Sequence, residues 1–187
     1  MRPARITLRT AEPSHARKLH ALITANLDEG HLLPRTLGDL EVHAERFTIA
    51  LRGKTGKTIV GCAELAPLSP TVAEVRSLAV DRPARGGGVG TEIVEELRRR
   101  ARREGFEKLC AFTHTPGYFI QMGFSIVPHL WLPEKIFTDC VGCPNFRRCG
   151  QYAMVVPLDD ACDDSRGRPL ESEFDAVHDR PAAARYA

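Results

Sequence analysis

Apolar positions along this chain change period several times, and each change marks an element. Ile6 to Arg9 alternate as a short strand. Leu19, Leu22, Ile23 and Leu27 then recur at helical spacing, with a cap expected near Ser14. Glu29-Gly30-His31-Leu32-Leu33-Pro34-Arg35 interrupts that pattern with glycine and proline, and a second helix is expected from after Thr36 to about Arg46. Phe47 to Leu51 and Thr58 to Leu65 read as a hairpin around the Lys54-Thr55-Gly56-Lys57 turn. Ala73 to Val80 alternate as a further strand. Val89, Ile93, Val94, Leu97 and Ala101 then line one face of a long helix whose other face carries arginines, and Gly105 ends it. Lys108 to Phe112 predicts a strand, Gly117 to Met122 a short helix stopping at Gly123, and Phe124 to Val127 and Gln151 to Pro157 the last strands.

From Asp159 onward the chain is polar, with Asp, Arg, Ser and Pro predominant. That composition predicts a disordered tail over residues 159–187 behind one domain at residues 1–158. A chain of 187 residues is long enough for one domain with a real core. Its 43% hydrophobic and 27% charged content is that of a globular protein. No apolar run approaches the roughly 18–20 residues of a membrane helix. Met1 to Thr10 is polar and basic without an apolar signal core, so a cytoplasmic location without membrane partners is expected. A net charge of +2 carries no nucleic-acid footprint. Arginines at 82, 85, 98, 99, 100, 102 and 103 bracket one segment, which fits an anionic ligand or a solvated helix face. For Arg98 to Arg103 the solvated face is the simpler reading.

A strand, then Arg85-Gly86-Gly87-Gly88-Val89-Gly90, then a long helix is the arrangement that carries most chemistry. Such a turn exposes backbone N–H groups at the positive end of a helix, which favours phosphate. Thr91 and Glu92 follow Gly90, so the Gly-Lys-Ser/Thr of a P-loop is absent. Gly86 and Gly88 are not followed by glycine or alanine at 91, so the dinucleotide fingerprint fails too. The spacing Arg-x-x-Gly-x-Gly at 85, 88 and 90 resembles the acetyl-CoA pyrophosphate loop of the GCN5-related N-acetyltransferase (GNAT) family. Glu74 to Pro83 is similar to that family's central strand, and Tyr118-Phe119-Ile120-Gln121-Met122-Gly123-Phe124 to its Y-F-x-x-x-G-F helix ending. The resemblance spans roughly residues 5 to 158.

That resemblance implies an α/β (α+β) fold, a mixed central sheet of about six to seven strands flanked by helices and splayed at the acetyl-CoA site. It implies that Leu78, Ala79 and Val80 pair with the pantetheine arm, one N–H polarising the thioester oxygen. The pyrophosphate would rest on Arg85, Gly86, Gly87, Gly88, Val89, Gly90 and Thr91, with charge from Arg82 or Arg85. Glu74 matches the position of a general base in glutamate-acetylating relatives, with Glu64 on the neighbouring strand as its substitute and a plain strand carboxylate as the bland reading. Tyr118 and Thr115 share the general-acid assignment. Tyr118 as a packing residue and His114 as a substrate contact stay open.

Leu32-Leu33-Pro34-Arg35 resembles the L-L-P-R segment of N-acetylglutamate synthases, and Gly61 to Leu65 is similar to the same family. The resemblance implies that Arg35 grips a glutamate carboxylate, helped by Leu33, with Arg76 as a second cation; a guanidinium matches a carboxylate in two bonds. Arg35 pairing at a helix end is the alternative. Trp131 to Lys135 is similar to that family's L-P-x-x region, whereas its Arg-x-Ser contact has no counterpart in Asn145 to Cys149, leaving Arg147 and Arg148 as substitutes. Long synthases carry an arginine-binding kinase-like domain without counterpart in this sequence, so feedback through such a domain is not expected.

Cys62 and Cys110 lie in apolar strands and read as core residues. Cys140, Cys143 and Cys149 offer three soft ligands, which His129 or Cys162 would complete as a structural metal site, or else a disulfide or free thiols. The expected activity is acetyl transfer from acetyl-CoA to the α-amine of L-glutamate, with homodimerisation open. Another small amine, a protein N-terminus and a non-catalytic CoA-binding module are the alternatives.

Overall fold

All the strand segments pair into one sheet. In the computed structural model, which describes residues 6–29, 32–53, 58–143 and 145–158, four strands form an antiparallel run. They are β1 (Ile6–Thr10), β2 (Phe47–Arg52), β3 (Thr58–Pro67) and β4 (Val72–Val80). β5 (Lys108–Thr113) joins β4 in parallel, and β6 (Ser125–Val127) and β7 (Tyr152–Pro157) complete the 7-stranded order β1-β2-β3-β4-β5-β7-β6. This is the mixed sheet that the resemblance implies. The Lys54–Lys57 turn, the tail at 159–187 and Cys162 lie outside the described residues.

A parallel pair needs a crossover, and α3 (Val89–Arg103) provides it between β4 and β5. Its buried face, Val89, Ile93, Val94, Leu97 and Ala101, packs with Val60, Leu65 and Leu109 in the larger core. On the other side, α1 (Ala16–Thr24) and α2 (Leu37–Val42) bring Leu19, Ile23 and Leu40 onto Phe47, Ile49 and Cys62. Along β2, Ile49 and Leu51 belong to this second cluster and Ala50 to the first, as the two-residue repeat of a strand requires. Both faces are therefore covered, which explains why Phe47–Leu51 is buried throughout, with Thr48 its one polar residue. Cys62 and Cys110 are core residues, as expected.

Two boundaries differ from expectation. α1 is entered through a 3₁₀ turn at Pro13–His15, and Glu12 donates its N–H to His15 Nδ1 at 3.0 Å, so Ser14 is not the cap. The second helix stops at Val42 and continues as a 3₁₀ turn, Ala44–Arg46; its cap is Thr36, whose hydroxyl accepts from the Asp39 N–H at 3.1 Å.

The sheet opens in its middle. β4 pairs with β3 as far as Val80 but with β5 only from Val72 to Val75. Ser77 adopts φ 50, a left-handed value rare for a residue with a Cβ, and the β3–β4 register slips between Cys62 and Glu64. A bulge of this kind bends its strand and re-aims side chains. Arg76 to Val80 consequently have no β5 partner. Among the described residues no helix is long and apolar enough to cross a membrane.

Candidate active site

The gap between the diverging strands leads into a cavity of about 940 Å³. Leu78, Val80, Arg85 and Tyr118 line it, as do Arg35, Glu74, Arg76 and Lys135. The first set lies toward the glycine loop, and the second gathers around the start of the split.

At the loop, Gly86 (φ 75) and Gly88 (φ 80) are left-handed, and Gly88 caps α3. A Cβ on either would meet nothing within 4 Å, so backbone conformation demands glycine there. Gly90 is demanded for space instead, because its Cβ would stand 2.9 Å from the Tyr118 hydroxyl. The loop presents exposed backbone at the positive end of a 15-residue helix, a fit for the pyrophosphate of CoA. Arg82 and Arg85 are engaged elsewhere. Arg85 donates to the Val80 carbonyl at 3.0 Å and pairs with Glu29 at 2.9 Å, while Arg82 pairs with Asp28 at 3.0 Å. These bonds hold the Glu29 carboxyl below the usual carboxylate range and tie the loop to the turn Leu27–Glu29. Cofactor pairing at Val80 therefore starts from an occupied carbonyl. Ala79 is buried in the second core, and Thr91 stands on the exposed first turn of α3; neither lines the cavity.

Tyr118 comes from α4 (Pro116–Ile120) and rests edge-on against Phe119 at 5.2 Å. Its hydroxyl is buried with no hydrogen bond among the described residues. Burial pushes its pKa up, with the Thr91 side chain pulling the other way, so the group stays protonated and can donate. Thr115 is exposed on the cavity rim, its N–H bonded to Thr113 Oγ1 at 3.0 Å.

The remaining charged groups form two clusters. Arg35 donates to Glu64 at 2.6 Å, to Asp39 at 2.5 Å and to Ser77 Oγ at 3.2 Å. Glu74 accepts from Arg76 Nε at 2.5 Å and from Lys135 Nζ at 2.8 Å on each oxygen. Asp139 accepts from Lys135 at 2.9 Å and from Arg76. Burial opposes the charge of both guanidiniums, but their carboxylate partners outweigh it and hold Arg35 and Arg76 above the ordinary arginine range. A carboxylate offers about four lone-pair directions. Glu74, nearly fully buried, has three of them engaged, which leaves one on Oε1.

Residues 13–124 match the acetyltransferase (GNAT) family. The chain belongs to that family. An uncharacterized N-acetyltransferase of Chlorobaculum tepidum is 30% identical over 152 residues, which are 81% of this chain and 96% of the relative. An amino-acid acetyltransferase of Pseudomonas putida is 34% identical over 106 residues, 56% of this chain and 24% of that one. The N-acetylglutamate synthase of Neisseria gonorrhoeae, solved in complex with coenzyme A and N-acetyl-glutamate, aligns with TM-score 0.73 at 26% identity. That alignment covers 83% of this chain and 36% of the synthase. The chain thus spans about a quarter to a third of the relatives whose names specify an amino acid. The GNAT chain is an N-acetyltransferase.

Sequence reasoning missed Lys135 and Asp139, which stand on α5 (Pro133–Lys135) and on the π-turn Ile136–Cys140 that continues it. The available signal was the i,i+4 spacing of the two, repeated in Arg35 and Asp39. Glu64, the substitute base of the sequence reading, is buried and pairs with Arg35. Arg147 and Arg148 are exposed on the turn Phe146–Arg148 and do not line the cavity. His114 lies on the rim, and His129, tilted over Phe112 at 5.6 Å, has a buried Nε2 without a hydrogen bond among the described residues. Of the alternatives open for the cysteine cluster, free thiols are what the described residues show. Cys140, Cys143 and Cys149 line one wall of the cavity as free thiols, and no group of three ligands among the described residues is placed to hold a metal ion. Burial pushes the Cys140 pKa up, Lys135 pulls it down, and the neighbouring Cys149, Asp139 and Cys143 add to the rise.

Proposed function

We propose that this GNAT chain acetylates the α-amine of an amino acid, with L-glutamate as the acceptor. One observation carries the reading: Arg35, Arg76 and Lys135 gather beside the sheet opening, across the cavity lining from the Tyr118 hydroxyl. Cations so placed are grips for carboxylates. The names of the Pseudomonas and Neisseria relatives support the same substrate class.

In this reaction the acceptor ammonium gives up a proton to the remaining lone pair of Glu74, directly or through water. The free amine attacks the thioester carbonyl, forming the C–N bond, while a backbone N–H of the unpaired β4 edge at Leu78 stabilises the oxyanion. The C–S bond then breaks, Tyr118 donates its proton to the leaving thiolate, and the second proton of the acylated nitrogen passes through water to restore Tyr118, while the proton on Glu74 is released to solvent. Leu33, exposed beside Arg35, would shape the mouth of the acceptor site. Thr115 at the rim is the alternative donor.

A second reading rests on charge balance. Arg35, Arg76 and Lys135 are matched by Asp39, Glu64, Glu74 and Asp139, so the wall carries no net positive charge. Such a wall also suits an uncharged amine. Release of CoA from acetyl-CoA, followed across a panel of amino acids, simple amines and peptide N-termini, separates the two. Selective turnover of L-glutamate supports the first. Turnover of amines without a carboxylate removes it.

A further inference from the structure

Each cationic group at the acceptor wall holds one buried and one half-exposed carboxylate. Arg35 has Glu64, whose side chain is 2% exposed, and Asp39, 35% exposed. Arg76 and Lys135 share Glu74, 4% exposed, and Asp139, 33% exposed. The glutamates come from the sheet and sit beneath the cations. The aspartates come from covering segments, α2 and the π-turn.

First-turn placement suits both aspartates to their helical segments, and Asp39 also lies 3.7 Å from His43, but that does not account for their bonds to the cations: Arg35 lies outside α2, and Lys135 precedes Asp139 by four residues, the less favourable polarity. Nor do they complete a core, because both side chains reach the surface and line the same cavity. What they do is occupy the outer side of cations that would otherwise lie half-buried with an open valence, a costly state in a low-dielectric wall. The two cationic groups also meet on consecutive residues of β4. Arg35 bonds Ser77 Oγ beside Arg76, and the left-handed turn of Ser77 breaks the alternation that would send the two side chains to opposite faces.

We propose that Asp39 and Asp139 are internal placeholders for two acceptor carboxylates: a dicarboxylic amino acid binds by displacing Asp39 from Arg35 and Asp139 from Arg76 and Lys135. Glu64 and Glu74 stay in place and keep the cations aimed. The exchange swaps one carboxylate for another, so no cation is left unpaired with or without substrate, and the covering segments open as the acceptor enters. A dicarboxylate displaces both aspartates, whereas a monocarboxylate displaces only one. The site therefore counts carboxylates. This deepens the amino-acid reading and rests on it for the amine, but not for the displacement.

The test uses the full chain and its Asp39→Asn, Asp139→Asn and double variants, with two readouts. The first is the KM for L-glutamate at saturating acetyl-CoA. Removing a competing placeholder enlarges the binding-competent fraction, so each single variant should lower that KM by about threefold to tenfold, with the acetyl-CoA KM unchanged as the check on folding. The second is direct calorimetric binding of glutarate, which has two carboxylates and no amine to acetylate. The double variant should bind glutarate more tightly than the native chain. Glutamate turnover with neither constant improved in variants that retain their acetyl-CoA KM would overturn the placeholder assignment and leave the glutamate reading standing. Tighter glutarate binding in a chain that does not turn over glutamate would support the placeholders and remove the glutamate reading. Weaker glutarate binding in the variants would make the aspartates part of the acceptor's own grip, and the proposal would fall.

Discussion

The arginines of α3 and the cations of the acceptor wall form ion pairs of similar length in very different surroundings. On α3, Arg99 meets Glu96 at 2.8 Å, Arg103 meets Glu96 at 3.0 Å and Arg100 meets Glu104 at 2.6 Å, all within one helix and its cap. At the wall, Arg35 meets Glu64 at 2.6 Å and Lys135 meets Glu74 at 2.8 Å, each across a long stretch of chain and against a carboxylate with almost no exposure. Distance does not separate the two regions. Water does: it screens the first set and substitutes for a lost partner, while the second set has no such replacement. One region is a solvated helix face, the other a charged wall whose carboxylates are almost fully buried.

The largest effect expected is on stability. Glu64→Ala takes from Arg35 its buried partner, leaves it the more exposed Asp39 and the Ser77 hydroxyl, and should cost up to about 3 kcal/mol in urea unfolding. A loss as small as that of a surface pair would show that the wall is wetter than its burial indicates, and the contrast with α3 would collapse. Tyr118 sharpens the comparison from another side, as a buried polar group with no ion pair. Tyr118→Phe should lower kcat about 100-fold with both KM values little changed, equivalent to roughly 2.7 kcal/mol of barrier. Because burial raises the Tyr118 pKa, the acid form persists upward in pH. The alkaline loss of kcat should therefore fall above the ordinary tyrosine value, and a limb below it would assign the proton to another group. Gly90→Ala, which presses a methyl toward that hydroxyl, should lower kcat by about tenfold without weakening the fold as Glu64→Ala does.

Smaller effects come from the exposed ends of both regions. The hydrogen bond from Arg35 lowers the Asp39 pKa below its ordinary value. A depressed carboxylate adds stability that is present above its unfolded pKa and lost as pH falls through the folded one. Asp39→Asn should therefore flatten the acid side of the stability curve, and an unchanged acid limb would detach Asp39 from Arg35 in solution. Glu96 on α3 behaves alike in sign: burial pushes its pKa up, but bonds from Arg99 and Arg103 outweigh that and lower it. Arg99→Ala should cost only about 0.2–1 kcal/mol, the least of the series, and less still in high salt.

How much of the site could be read in advance follows the same division. Gly86 and Gly88 were legible because a strand-to-helix turn constrains their own φ angles. Gly90 and Tyr118 were both visible as motif positions, but the contact between them was not, since it joins the first turn of α3 to α4. Arg35, Arg76 and Glu64 stood out by resemblance, yet the pairing of Arg35 with Glu64 and of Arg76 with Asp139 did not, the partners being 29 and 63 residues away. Lys135 went unread because nothing local distinguishes a lysine facing Glu74 from one facing water.

The sequence by itself determined where the chain alternates, where it coils and where it must turn, because strand period, helix period and left-handed glycines are properties of a few neighbouring residues. It therefore determined the elements, their order, the two apolar faces of the sheet and the glycine turn that opens α3. Only the tertiary structure decided that Ser77 breaks the central strand and that Lys135 and Asp139 close over Glu74. It also decided that two aspartates lie against the cations of the cavity wall. Those outcomes depend on long-range charge pairing inside a wall with little water, and no periodicity along a chain reports which distant carboxylate a buried cation will find.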